Sequence, residues 1–522
     1  MRPAWLWPSV ALLSFGLLFG ATEGWLRWTF AVALLVVPTA MVVGRSSRRR
    51  DRVALVAALG VVSAIISALF VVSSYGALLR APVAGNSDQL DFTVMSWVFA
   101  EQGVLGITQG TPAREVLASA EQYPVSEPDR LQAWQERAEG PDETHAYSYR
   151  SPLYPLLLGS AWRLIGFEPQ FAVVINLAML SAAVMILAAA LMRAASTAAG
   201  LVAGTALAVS PQVLHWSGQL MSETLTVLLC SVVVAATVHV WRRGSPGSLA
   251  LLAIPLAGLA LTKQSFLLVA FAALVTVTLL TLWRRRPQRA RTAVALGVPA
   301  LLLLAALVAP WLAYNVNNTG SWQLLTGTAG WHDMAASYSR AYLAGEDRVA
   351  IRERHFNTYE RRNNVELESG SSRALVGRQM WWSQLKQGAY AFRLPALMAY
   401  KFLRSVPADA ITWTLRLLAV CSTAVIIWWG SARQRWLLAL LSVVPVLLIT
   451  SIMLTIEAGP RLLVSWPVFV AAVCGLGVDA ALSRRAAGPT SSHRGRGSGT
   501  AGGPSLRTGS VNATGQQESR TR

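Results

Sequence analysis

The chain alternates long apolar segments with short polar ones. A helix needs about 20 apolar residues to cross the hydrocarbon core of a bilayer, and twelve segments of the 522-residue chain approach or exceed this length. They are 5–22, 25–44, 53–79, 170–192, 195–212, 222–241, 248–263, 264–283, 292–313, 410–430, 434–456 and 460–482. This pattern predicts an all-α polytopic membrane protein with about twelve transmembrane helices.

The composition agrees with the segment pattern. Hydrophobic residues make up 54% of the chain and charged residues only 14%, whereas a soluble protein carries about 25% charged residues. An ordinary soluble enzyme is therefore excluded. The three cysteines, Cys230, Cys421 and Cys474, all lie within apolar segments, which excludes a disulfide framework and a zinc site built on cysteine.

The net charge of +19 comes from arginines that lie between the apolar segments. The clusters occupy positions 45–52, 193, 242–243, 284–291, 433–435 and 484–485. With twelve spans they all fall on one side, which the positive-inside rule assigns to the cytoplasm. The charge therefore predicts a membrane orientation with both termini in the cytoplasm, and it does not indicate a nucleic-acid partner.

Two long polar loops fall on the outer side in this topology, residues 80–151 and 314–391, and together they hold 18 of the 26 acidic residues. Residues 152–166 and 392–408 are apolar but too short to span, so we expect helices that lie in the outer interface. We divide the chain into two additional N-terminal helices, a transmembrane core and a disordered basic cytoplasmic tail rich in Gly, Ser and Thr. These parts are 1–52, 53–482 and 483–522.

Acids at the membrane boundary are the first candidates for chemistry, because burying them there costs free energy. Asp88 and Asp91 follow the third span and are three residues apart, so they share one side of the first turn of a helix that starts at Ser87. Glu223 opens the sixth span next to Ser222. The alternative is that all three acids only favour the positive end of a helix.

Cations on the outer side are the second group, since the orientation rule does not require them there. Lys263 interrupts two apolar runs and Arg461 begins the last span. Snorkelling toward the interface is the alternative for Lys263. His332 and Asp333 lie in the second outer loop, where an ordinary polar pair is the alternative. No cofactor is assigned, but Asp88, Glu223 and His332 leave a divalent metal open.

Several common motifs are absent from the chain. It has no Walker A sequence, no HExxH, no GxSxG and no dinucleotide fingerprint, so nucleotide-driven transport and zinc proteolysis have no support. Nucleotide sugars are not expected on the outer side. A group transfer at this face would therefore need a donor carried by the membrane.

Four ordered pieces of the sequence resemble membrane glycosyltransferases of the GT-C fold, the group that contains the protein mannosyltransferases and the lipid A aminoarabinose transferases. They are Asp88 four residues before Phe92, the segment RSPLYP at 150–155, Pro211 with Ser222-Glu223 and the LTK ending at Lys263, and APWLAYNVNNTGSW at 309–322 with the Arg461 segment. The chain differs from the family pattern at Phe92, Ser151 and Tyr314, where tyrosine, proline and arginine are usual.

The resemblance implies an enzyme that moves a sugar from a polyprenyl phosphate to an acceptor hydroxyl by an inverting mechanism, with Asp88 as the base. Asp91 and Glu223 are the other candidate catalytic acids. Lys263, Arg461 and Arg150 are the candidate ligands of the donor phosphate, and Tyr154, His332 and Asp333 are candidates for binding the acceptor or sugar.

The expected partners are the lipid-linked donor, membrane lipid and an acceptor that is a glycan, a lipid or a protein. The Ala- and Arg-rich composition favours a bacterial plasma membrane, with the active site on its outer face. A transporter or flippase of a lipid-linked glycan is the alternative function, although the middle of most spans carries no charge.

Overall fold

The structure is a computed structural model, and its helices form an all-α bundle, as the sequence predicts. It describes residues 49–75, 87–110, 143–146, 150–168, 170–263, 265–285, 290–319, 348–364, 409–455 and 463–487, with isolated positions at 113–114, 118, 132, 135–136, 138–141, 346, 376 and 379. The first two expected spans, residues 392–408, the tail after 487, His332, Asp333 and Arg461 lie outside the described residues.

Fourteen helices and two short strands make up the described part of the chain. The helices are α1 (Arg49–Tyr75), α2 (Ser87–Gln102), α3 (Leu153–Ile165), α4 (Phe171–Ala194), α5 (Thr197–Ala208), α6 (Pro211–Ser217), α7 (Glu223–Arg243), α8 (Pro246–Thr262), α9 (Phe266–Arg285), α10 (Ala290–Thr319), α11 (Arg348–Asn363), α12 (Ala410–Trp429), α13 (Ala432–Thr455) and α14 (Trp466–Ala487). Strands β1 (Gly106–Thr108) and β2 (Thr144–Ala146) follow α2 and precede α3.

Eight of the described helices are long and apolar enough to cross a membrane, namely α1, α4, α7, α9, α10, α12, α13 and α14. The expected span at 195–212 is a pair of helices, α5 and α6, which are bent by 55° where Pro211 begins the second helix. Helix α8 has only 17 residues. The chain is a multi-pass integral membrane protein, and the count of twelve spans stays a prediction.

Local sequence signals set several helix ends. The Ser245 side chain accepts from the Ser248 backbone N–H while the Ser248 hydroxyl accepts from the Ser245 N–H, a capping box that starts α8. Asp409 caps α12 by accepting from the Thr412 N–H at 2.7 Å. Helix α7 ends at Gly244, whose φ of +55° is in the left-handed region.

The core of the bundle is formed by α4 and α7, which pack on each other and on the surrounding helices. Helix α4 contacts α1 and α5, helix α7 contacts α8, and α8 contacts α9 and α10. On the other side α14 packs on α5 and α12. The described buried side chains of these helices form one continuous apolar cluster, so the bundle has a single core.

A smaller layer covers one end of the bundle, and it is built on α2 and α3. A Cβ at Gly159 of α3 would overlap the backbone carbonyl of Ser96 on α2, so only a glycine allows this close approach. Strands β1 and β2 pair antiparallel with Ile107 opposite His145. Helix α3 is 13 residues long, about 20 Å, which agrees with the expectation of an apolar segment too short to span.

Candidate active site

The first half of the candidate site lies at the start of α2. Arg150, just before α3, forms ion pairs with both Asp88 and Asp91. Its Nε donates to Oδ2 of Asp91 at 2.9 Å, and its Nη2 donates to Oδ1 of Asp88. The spacing of the two acids on one side of a first turn is thus confirmed, and one guanidinium spans both carboxylates because its N–H groups form a planar fork.

The second half of the site joins the start of α7 to the end of α8. Lys263, the residue that directly follows α8, donates from Nζ to Oε1 of Glu223 at 2.9 Å. The Glu223 side chain is fully buried and the Lys263 side chain is 12% exposed. An ionised carboxylate at such a position requires a cation beside it, and Lys263 supplies that cation to Glu223.

Buried amides connect the two ion-pair groups. Gln89, next to Asp88 on α2, donates from Nε2 to Oε1 of Gln219 at 3.1 Å. Gln219 lies between α6 and α7, four residues before Glu223, and its backbone carbonyl accepts from the side chain of Asn176 on α4. The bonds fix the start of α2 against the start of α7, so both ion-pair groups lie at one end of the bundle.

Tyr154 of α3 makes a second connection between the same two groups. Its ring meets Phe92 of α2 edge to face at a centroid distance of 5.4 Å. Its hydroxyl donates to Oδ1 of Asn176 at 3.3 Å, the residue whose side chain also bonds the Gln219 carbonyl. The side chain is only 1% exposed, so Tyr154 acts as a structural link, and its contact with a sugar or acceptor stays a prediction.

We call Asp88, Asp91, Arg150, Glu223 and Lys263 the polar site. The arrangement can accept a proton at a carboxylate on α2 and can offer positive charge from two cations of different helices. It brings together five of the nine residues that the sequence singled out, and Tyr154 lies beside them. The other three, His332, Asp333 and Arg461, lie outside the described residues.

The structure assigns contacts to Arg150 and Lys263 that the sequence reasoning did not include. Both were expected to bind the donor phosphate, and in the structure each is bound to carboxylates of the site. A phosphate ligand would therefore share these cations with the acids. Among the described residues, no group of three His, Cys, Asp or Glu side chains could hold a metal ion.

Three amides of the site were missed by the sequence reasoning. Asn176 carries the clearest signal, since it is the only amide in the apolar run FAVVINLAML, and a polar group inside an apolar helix requires a partner. Gln89 is adjacent to an acid already singled out. Gln219 lies in the break between α6 and α7, where the pattern of apolar residues gives no guide to its direction.

Tyr314 fastens α10 to the layer built on α2 and α3. Its hydroxyl donates to the backbone carbonyl of Leu105, immediately before β1. Its ring stacks on Trp311 at a centroid distance of 5.2 Å. The tyrosine therefore supplies a structural contact in this part of the chain.

Comparison with known proteins returns matches among solved structures alone. No family model matches the chain, and no curated protein sequence matches it. The archaeal oligosaccharyltransferase AglB of Archaeoglobus fulgidus, solved with an inhibitory peptide and a dolichol-phosphate, is 12% identical with a TM-score of 0.43. ArnT of Cupriavidus metallidurans bound to undecaprenyl phosphate is 13% identical with a TM-score of 0.36.

The extent of these matches differs between the two proteins. The match to AglB covers 81% of this chain but only 50% of AglB, so the chain spans about half the length of that protein. The match to ArnT covers 83% of this chain and 78% of ArnT.

Proposed function

We propose that the protein is an inverting membrane glycosyltransferase that takes a sugar from a polyprenyl phosphate. The observation that carries the proposal is the pairing of two acids on α2 with Arg150, close to a second, buried acid–lysine pair. A base for an acceptor hydroxyl and cations for a phosphate are thus brought to one end of an apolar bundle, where a lipid-linked donor can approach along the helices.

The reaction follows from the charges of the site. The acceptor oxygen attacks the anomeric carbon of the sugar, its proton passes to the Asp88 carboxylate, and the bond from the anomeric carbon to the phosphate oxygen breaks with inversion. A polyprenyl phosphate is a good leaving group, so it requires no strong acid. General-base catalysis by a positioned carboxylate contributes about 10²–10⁴-fold to such a step.

Positive charge near the departing phosphate is the second requirement, because negative charge develops there as the bond breaks. We assign the stabilisation of this phosphate charge to Lys263 and Arg150, which lie at this end of the bundle. Each of the two cations is held in place by ion pairing with acids of the polar site. Arg461 is the third, and its part in binding the phosphate stays a prediction from the sequence. An arginine at that position would bind two phosphate oxygens with its fork.

The location follows from the orientation argument. The positions of the arginine clusters support a polar site on the outer face, with both termini in the cytoplasm, and we assign the protein to a bacterial plasma membrane. The acceptor is a hydroxyl of a glycan, a lipid or a protein. The donor is then drawn from the outer leaflet, and no nucleotide sugar is required.

A transfer assay in liposomes tests the proposal. Purified protein is reconstituted, a panel of undecaprenyl-phosphate sugars is added to the outer leaflet alone, and the release of undecaprenyl phosphate is measured by mass spectrometry with cell-envelope glycan as acceptor. Release coupled to glycan labelling, without exchange between leaflets, supports the enzyme. Movement of the intact glycolipid between leaflets without release would support the flippase instead.

A further inference from the structure

A cluster of aromatic and basic side chains lies at the end of the bundle away from the polar site. Trp241 is in the last turn of α7, whereas Glu223 of the polar site begins the same helix. The 18 residues between these positions correspond to about 27 Å along a helix, close to the thickness of the hydrocarbon core. The two sites therefore face opposite surfaces of the membrane.

Two arginines from different helices converge on this tryptophan. The guanidinium carbon of Arg284 on α9 is 4.9 Å from the centre of the Trp241 ring, and that of Arg433 on α13 is 4.7 Å from it. The two positive groups are therefore at most about 10 Å apart. Cation–π contacts of this kind hold the two guanidinium groups against the ring and neutralise no charge.

The positions of both guanidinium groups are fixed by backbone carbonyls. Arg284 donates from Nη1 to the carbonyl of Trp241 at 2.7 Å, and Arg433 donates from Nη2 to the carbonyl of Ala194 at 2.9 Å. These are carbonyls of the last turns of α7 and α4, where cations are favoured. Each bond uses one of the five N–H groups of its arginine, so donors remain for a ligand.

Within the described part of the chain, neither arginine forms an ion pair with an acid. Asp479, a carboxylate at the same end of the bundle, accepts instead from Nε2 of Gln434 at 2.7 Å. Both arginines are exposed, whereas the Trp241 side chain is 7% exposed and its Nε1 has no hydrogen-bond partner among the described residues. The cluster thus gathers two exposed positive charges, and the described part of the chain places no carboxylate in an ion pair with either of them.

We propose that Trp241, Arg284 and Arg433 form a binding site for the phosphate of an anionic phospholipid, at the membrane surface opposite to the polar site. A phosphodiester oxygen pair matches the fork of a guanidinium, and basic pockets between transmembrane helices bind anionic headgroups in this way. The bound lipid would join the ends of α4, α7, α9 and α13. This site does not depend on the proposed glycosyl transfer.

Lipid binding by the purified full-length chain tests this site. Dioleoyl-phosphatidylglycerol is titrated into delipidated protein in a neutral detergent, and bound lipid is counted by native mass spectrometry alongside the melting temperature. Dioleoyl-phosphatidylcholine and inorganic phosphate are titrated in parallel. The test variant is Arg284→Gln with Arg433→Gln, and the matched control is Arg484→Gln, which removes an exposed arginine that lies 4.3 Å over the ring of Trp429.

We expect the wild type and the Arg484→Gln control to bind phosphatidylglycerol equally, and the double variant to bind it about tenfold more weakly. Because the double change can also disturb folding, the single variant Arg433→Gln is measured too, with an intermediate loss expected. Unchanged affinity in the folded variants would overturn the proposal. Equal stabilisation by phosphatidylcholine, or by inorganic phosphate alone, would also overturn it, since the site would then not select an anionic lipid.

Discussion

Gln89 and Gln219 hold the two halves of the polar site together, with Nε2 of the first donating to Oε1 of the second at 3.1 Å. The residues are 130 positions apart in the sequence, and both are buried. Each is close in sequence to an acid, Asp88 in one case and Glu223 in the other. The distance between the two acids is therefore controlled by an uncharged pair of side chains.

Replacing Gln219 with leucine should uncouple the two halves. The change leaves the buried amide of Gln89 without this partner, which costs about 1–3 kcal/mol of stability, and it lets α2 shift relative to α7. We expect the catalytic rate of the folded protein to fall while the melting temperature drops only slightly. Gln434→Leu is the control, because it also removes a buried amide bond, to Asp479 at the other end of the bundle. Equal rates in the two variants would contradict this role.

The Asp88→Asn variant should lose transfer and remain folded in the membrane. If Asp88 takes the acceptor proton, its loss removes a contribution of about 100-fold or more, whereas an asparagine can still accept a hydrogen bond from Arg150. The measurement is the turnover of reconstituted protein, compared with Asp91→Asn. Wild-type turnover in Asp88→Asn, together with a loss of turnover in Asp91→Asn, would show that the base is Asp91, one helical turn further along α2.

The Glu223–Lys263 pair should show strong coupling in stability. Either Lys263→Met or Glu223→Gln leaves one buried charge without its partner, which costs about 3–5 kcal/mol. The double variant should recover most of that loss, because both charges are then removed. Thermal unfolding of the four proteins measures the coupling. Transfer activity should stay low in the double variant, and its full recovery would show that the pair is only structural.

Gly159 should tolerate no larger side chain. In Gly159→Ala the new methyl group would overlap the carbonyl of Ser96 and press α2 away from α3, and overpacking of this kind costs about 1–3 kcal/mol. The control is Gly247→Ala in the first turn of α8, where a Cβ meets nothing within 4 Å and helix propensity favours alanine by up to about 1 kcal/mol. Melting temperatures that fall equally would refute the packing argument.

The sequence predicted the local features of the site and missed its long-range partners. The common side of Asp88 and Asp91 followed from their spacing, because three residues nearly complete a helical turn. Their shared partner Arg150 is 62 and 59 residues away, and no periodicity connects it to them. Likewise, Lys263 and Glu223 were each marked by unusual charge, but their mutual bond depends on how α7 and α8 pack.

For the fold as well, the sequence predicted local features, and it did not predict how the helices bend and pack. Apolar length alone identified the long helices such as α4 and α7, because a bilayer demands that length. The bend between α5 and α6 was not predicted. Pro211 was noted only as a motif residue, and the change of chain direction at this proline was not considered. Tyr154 was singled out only as a candidate for binding the acceptor or sugar, and its burial with the hydroxyl bonded to Asn176 depends on how α3 packs on α4.

The pairing of β1 with β2 holds the two ends of the segment 109–143 side by side. Ala113 and Ala138 of this segment are buried in one apolar cluster with Leu90 and Val94 of α2, so both ends of the connection are tied to the helices. Closing a loop twice as long costs only about 0.6 kcal/mol more. Natural variation can therefore lengthen the stretch between the two alanines, while α2 and the residues packed on it stay as they are.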